Sequence, residues 1–214
     1  MRMPIFTSFI MIVLLTQFAI RRSNHKEQSN EKAFWEKERE ANSTRRKSLD
    51  GLNYIKIPAN RLPFGALPDD KDVVFCEKTI TNLIDQKIVN LTGYSNTELK
   101  LEYGAPNITN LTTFDQNYTT LVTNLQTWGL HLYNAALYEE ALMVLEFAAS
   151  TRTDVSGTYK LLCDMYQTKL GYSKEVMTKK IKALVPIAES LRSLSRDSIV
   201  EYLNSYLEVE ENPT

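Results

Sequence analysis

One apolar spacing occurs twice in this chain, 34 residues apart, and it leaves little freedom in the choice of fold. Leu125, Trp128, Gly129 and Leu132 set it first; Tyr159, Leu162, Cys163 and Tyr166 repeat it. Tyr138, Ala141, Leu145 and Ala148 form a second stripe, and Tyr172 repeats Tyr138 at the same interval. Steps of three and four residues place each set on one face of a helix. A small residue among large ones is what two crossing helices require. Gly129 and Ala141 let the backbones approach, while Trp128 and Leu145 fill the groove between them. The pattern predicts a helical hairpin. Its first arm begins near Thr113, Phe114 and Asp115 and runs through Trp128 to Tyr133, and its second spans Tyr138 to Ser150.

The rest of the chain fits helices around this hairpin. Gly and Pro number only seven each in 214 residues, too few for a turn-rich β protein. Val73, Val74, Glu77, Ile80, Leu83, Ile84, Lys87, Ile88 and Leu91 keep a helical stripe that ends near Gly93. Ser95 and Glu98 have the spacing of a capping box, opening a short helix that Gly104 and Pro106 close. Asp154 or Ser156 caps a helix from Thr158 to Leu170. Met177, Ile181, Leu184, Ala188 and Leu191 mark the next, with Pro186 predicted to kink it. Asp197 to Leu207 reads as a terminal helix covering the open apolar end that a stacked array leaves.

Upstream, Pro58, Pro63, Gly65 and Pro68 forbid a helix through 57–69, and Leu52 to Pro58 alternates as an extended segment does. Residues 4–20 are an uncharged, mostly apolar run, predicted to be a transmembrane helix in contact with the lipid bilayer. Arg21, Arg22, Lys26, Lys32, Lys37 and Arg39 follow it, whereas only Arg2 precedes it. By the positive-inside rule the expectation is a single-pass plasma-membrane protein, short N-terminus outside and C-terminal domain cytoplasmic. Residues 23–48 are polar with interleaved charges, as in a solvated helix. Arg45, Arg46 and Lys47 form the densest basic patch and are candidates for contact with anionic lipid, or for a helix end complementing its dipole. Asn42, Asn90, Asn107, Asn110 and Asn117 each open an N-x-S/T triplet, which admits the alternative of an extracytoplasmic, glycosylated domain of opposite topology.

No familiar chemistry stands out. A net charge of −1 gives no argument for nucleic acid. Cys76 and Cys163 are isolated, and His25 and His131 are far apart, so no metal-ligand spacing exists. Phosphate-loop, nucleophile-elbow and H-E-x-x-H patterns are absent. The expectation is no catalysis, no metal, no cofactor and no small-molecule substrate, with an enzyme of unrecognised site as the remaining alternative.

The spacing of Gly129, Ala141 and Ala148 resembles the tetratricopeptide (TPR) family across about residues 123–170, although Thr153 stands where that family usually has proline. Residues 44–47, 54–58, 96–104 and 191–195 are similar to uncharacterised single-span proteins of Firmicutes. The first resemblance implies a helical-hairpin domain of the α-solenoid type that binds an unknown protein or peptide partner. Its concave first-arm positions fall on Gln126, Leu130, Tyr133 and Asn134, then Lys160, Asp164, Gln167 and Thr168. The expected organisation is a membrane helix (4–20), a charged tether (21–50), a Pro-rich connector (51–69), an all-α TPR-like domain (70–207) and an acidic tail (208–214), together a membrane-anchored adaptor.

Overall fold

The computed structural model describes the backbone of residues 3–211, and the side chains of 9–207 apart from 19, 21 and 23–29. The acidic tail therefore lies outside the residues whose side chains are described. Among the described residues the chain is all-α, with no strand. It divides into two compact units, one of residues 1–48 with 95–108, the other of 49–94 with 109–214.

In the first unit, helix α1 runs unbroken from Met3 to Ser43, and α3 spans Asn96–Tyr103. No helix among the described residues is long and apolar enough to cross a membrane, which overturns the expected single-pass placement. The physical reason lies in the length of the run. Its 17 residues (4–20) extend about 26 Å as a helix, short of the ~30 Å hydrocarbon core. The same helix then continues into a stretch rich in charge.

The end of α1 meets the end of α3 through a dense set of bonds. Glu38 accepts from Thr97 Oγ1 at 2.6 Å and pairs with Lys100. The Lys100 ammonium, then Thr97, hold the Glu38 carboxyl below its usual range. The capping box forms as the sequence requires: Glu98 N donates to Ser95 Oγ, and Ser95 N donates to Glu98 Oε2 at 2.8 Å. Gly104 ends α3 at φ 92° and ψ 139°, a conformation that only glycine adopts freely. A short 3₁₀ turn, Ala105–Asn107, follows.

The second unit holds α2 (Lys71–Leu83), most of α4 (Ile108–Asn134), α5 (Tyr138–Ser150), α6 (Ser156–Asp164), α7 (Lys174–Glu189) and α8 (Arg196–Glu211). The second arm has the predicted bounds. The first begins earlier than Thr113, because the turn holding Pro106 leads straight into it. The predicted stripe to Gly93 is interrupted. α2 ends at Leu83, and Ile88, Val89 and Leu91 are buried from an irregular segment instead. Its backbone is satisfied by neighbours: Ile55 N donates to Ile88 O at 2.9 Å, Val89 N to Phe114 O at 3.3 Å, and Leu91 N to Asp115 Oδ1 at 3.0 Å.

Neither Asp154 nor Ser156 caps α6; Val155 occupies the cap position without a side-chain bond. Five residues, Met165–Lys169, then widen into a π-turn before Leu170, and such turns often sit at working surfaces. α7 passes through Pro186 and ends one turn later at Glu189. There the missing N–H costs only the bond to one carbonyl of the preceding turn.

The core of this unit is anchored by Trp128, Tyr159, Tyr166 and Leu145. A Cβ built on Gly129 would lie 2.5 Å from Leu145 Cδ2 and 2.6 Å from its Cγ. Glycine there is the seat for Leu145, which is how α4 and α5 come into contact; Ala141 is fully buried in the same core. Cys76 and Cys163 are free and buried. Burial pushes their thiols up, to about 11 and about 12. Since the thiolate is the nucleophile, neither is expected to react with Ellman's reagent at pH 8 in the folded chain, and both should react in denaturant. Stoichiometric labelling of the native protein would contradict this packing.

Candidate functional site

The eight residues at the predicted concave positions divide into two groups. Gln126, Tyr133, Asp164 and Thr168 bond within the protein. Thr158 Oγ1 donates to Gln126 Oε1 at 2.6 Å, and Tyr133 donates its hydroxyl to Asp164 Oδ2. Thr168 Oγ1 donates to Asp164 at the backbone O (3.0 Å) and at Oδ1 (3.1 Å). These bonds join α4 to α6, and α6 to the π-turn that follows it. Gly157 allows the approach at one end, since a Cβ there would lie 2.8 Å from Gln126 Nε2. Leu130, Asn134, Lys160 and Gln167 remain exposed on the same helices. Leu130 is 39% exposed, an apolar side chain in water on this face.

Aromatic rings frame the face. Tyr133 meets Tyr138 edge-on at 5.5 Å, and Lys169 Nζ lies 5.9 Å from the Tyr138 ring. Lys160 Nζ stands 5.8 Å from the ring of Tyr202 on α8. Ser156, Tyr159, Lys160, Ser198, Ile199 and Tyr202 enclose a cavity of about 150 Å³ between α6 and α8. Behind the face, Glu146 accepts from Tyr166 at 2.8 Å and from Lys180 Nζ at 2.7 Å, tying α5 to the π-turn and α7. Lys169 and Glu146 were not singled out by the sequence, and Tyr138 was read there only as a packing position of the second stripe, because their partners are fixed only by helix packing.

The Tyr133 phenol is pushed up to about 12, first by its hydrogen bond to the Asp164 carboxylate and then by burial. The bond stabilises the protonated phenol. Its contribution is therefore complete below an unfolded tyrosine's pKa of about 10 and disappears as pH rises through about 12. In ultraviolet titration, the difference between the wild type and Tyr133→Phe should show tyrosinate near pH 12. Asp164→Asn should bring that ionisation down towards 10. An unchanged titration in Asp164→Asn would refute the bond.

Two side chains of the basic cluster, those of Arg46 and Lys47, are engaged within their own unit. Arg46 Nε donates to Asn107 Oδ1 at 2.9 Å, and Lys47 Nζ to Leu101 O at 3.0 Å. Arg45 presents its backbone carbonyl to Gly104. Asparagines of the glycosylation triplets are also in structural use. Asn107 is 1% exposed and donates to Lys47 O and Tyr103 O, both at 2.7 Å. Asn90 Nδ2 donates to Tyr118 Oη at 2.8 Å and to Arg152 O at 3.0 Å, and Asn117 Nδ2 to Lys87 O at 3.0 Å. A glycan would take the place of those bonds.

No family model, curated protein or solved structure matches this chain.

Proposed function

We propose that the second unit is a protein-interaction module, an adaptor or scaffold without catalysis, built from two TPR-like hairpins (α4–α5 and α6–α7) with α8 covering the last. The observation that carries this reading is the bonding of Gln126 and Tyr133 on the first arm to Thr158 and Asp164 on the next. Successive first arms lie side by side, so Leu130, Asn134, Gln167 and Lys160 belong to one continuous surface. Its chemistry suits an extended peptide. Amide side chains match backbone N–H and C=O groups, Leu130 offers an apolar contact, and the residues behind are already locked by bonds of their own.

A random peptide-display selection against the full chain, followed by affinity measurements, tests this. Selected peptides should bind Leu130→Ala, Asn134→Ala or Gln167→Ala at least about tenfold more weakly, equivalent to 1.4 kcal/mol or more. Met143→Ala alters an exposed side chain on the other arm and should leave affinity unchanged. Selection that yields no binder, or binders indifferent to all three positions, defeats the proposal.

A further inference from the structure

At the start of α2, Asp70, Asp72 and His131 come together although His131 follows Asp70 by 61 residues. One donor atom of each lies within 4.8 Å of the other two. His131 Nδ1 stands 2.7 Å from Asp70 Oδ2. The other oxygen of Asp70 is engaged, accepting from Asp72 N at 2.9 Å and Val73 N at 3.1 Å. The cap thus fixes the carboxylate and turns Oδ2 towards the imidazole. His131 is held in turn on α4, between the buried Trp128 and Leu132. The side chains of His131 and Asp70 are 29% and 27% exposed, and Asp72 is open to solvent, so an ion has a route in.

We propose that Asp70, Asp72 and His131 form a site for a divalent transition metal of the zinc type, with a position left open to water or to a partner's side chain. One imidazole nitrogen and two carboxylate oxygens are a donor set that zinc accepts, and three protein ligands with an open position is its arrangement in non-structural sites. The net charge of the donors with neutral imidazole, −2, balances the ion. With metal–ligand bonds of about 2.0–2.2 Å at tetrahedral angles, neighbouring donors lie about 3.3–3.6 Å apart. The Nδ1–Oδ2 pair, at 2.7 Å, therefore opens by about 0.6–0.9 Å to admit the ion. Magnesium and calcium are disfavoured, since both prefer oxygen-only shells of higher coordination.

A plain capping interaction explains Asp70 and His131 and uses only the backbone N–H of Asp72, whose carboxylate otherwise merely complements the start of the helix, so the Asp72 side chain is the discriminating group. The helix dipole opposes a cation here, and the Asp70 oxygen on the first N–H groups offsets it. Sequence spacing alone gave no metal at these positions, because the third ligand arrives only when α4 packs against α2.

The test is calorimetric titration of the chelator-treated full chain with zinc chloride, with magnesium chloride in parallel. The expected result is one equivalent of zinc at micromolar Kd, at least about tenfold weaker in Asp72→Asn and in His131→Gln, and no uptake of magnesium. His25→Ala, which removes the other imidazole, should bind as the wild type does. Asp72→Asn changes an exposed group that is not the cap, so a folded variant with normal circular dichroism isolates the ligand effect. No saturable uptake overturns the proposal. Equal uptake in Asp72→Asn and His131→Gln also overturns it, leaving an adventitious ion only.

Discussion

Trp128→Ala is expected to cost about 3–5 kcal/mol of unfolding free energy, the range for removing a large aromatic from a packed interior. Trp128 is fully buried, its ring centroid lies 5.1 Å from that of Phe64, and its neighbour Gly129 carries the α4–α5 contact. Its indole Nε1–H has no acceptor among the described residues. An unmet buried donor costs about 1–3 kcal/mol, so removing the indole nitrogen offsets part of the lost packing. Trp128→Phe is accordingly expected to fall within about 1.5 kcal/mol of the wild type. Urea unfolding followed by circular dichroism separates the two. If Phe is as damaging as Ala, the indole N–H has a partner and the packing account of this residue is wrong.

Gly104→Ala should be comparably severe, for a different reason. At φ 92° and ψ 139° any L-residue carries about 1–3 kcal/mol of backbone strain. A Cβ there would also lie 2.2 Å from Arg45 O and 2.8 Å from Arg46 Cα, both backbone atoms. Neither can retreat cheaply. Ala105 N donates to Thr44 O at 3.1 Å and Lys47 N to Tyr103 O at 3.0 Å, so both chain segments are pinned on either side of the contact. The buried Asn107 fastens the same segments through Lys47 O and Tyr103 O. Native-state hydrogen exchange should therefore show amides of 44–47 and 104–107 losing protection together in Gly104→Ala. Protection equal to the wild type would show that the two segments are not clasped in this way.

What was legible in the sequence follows the range of the interactions. The capping box at Ser95 and Glu98 and the bounds of α5 depend on residues within a few positions of one another, and both were readable. Gly129 was readable as a small position, although its partner in contact is Leu145. The stripe from Val73 to Leu91 misled because Ile88 and Leu91 are buried whether the chain coils or extends. What decides is that Ile55, Phe114 and Asp115 take up the backbone groups. The apolar run 4–20 misled by composition, since α1 continues to Ser43 with charged residues and no helix among the described residues is long and apolar enough to span a membrane. The triplets at Asn90 and Asn107 looked like surface signals, yet their amides are bonded to the protein itself. Three of the concave residues, Gln126, Tyr133 and Asp164, serve as fasteners between arms, which one-dimensional spacing does not distinguish from a free surface. The convergence of Asp70, Asp72 and His131 left no local trace at all.

A double-mutant cycle at Gly129 and Leu145 addresses the nested hairpin from which the binding face is built. Gly129→Ala alone should cost about 1–3 kcal/mol by overpacking, and Leu145→Ala alone about 2–5 kcal/mol through the cavity it leaves. Together the new methyl group enters the space that Leu145 vacates, so the pair should cost less than the sum by at least about 1 kcal/mol. Costs that add within about 0.5 kcal/mol would mean that the two residues do not meet, and the arrangement of α4 against α5 described here would be contradicted.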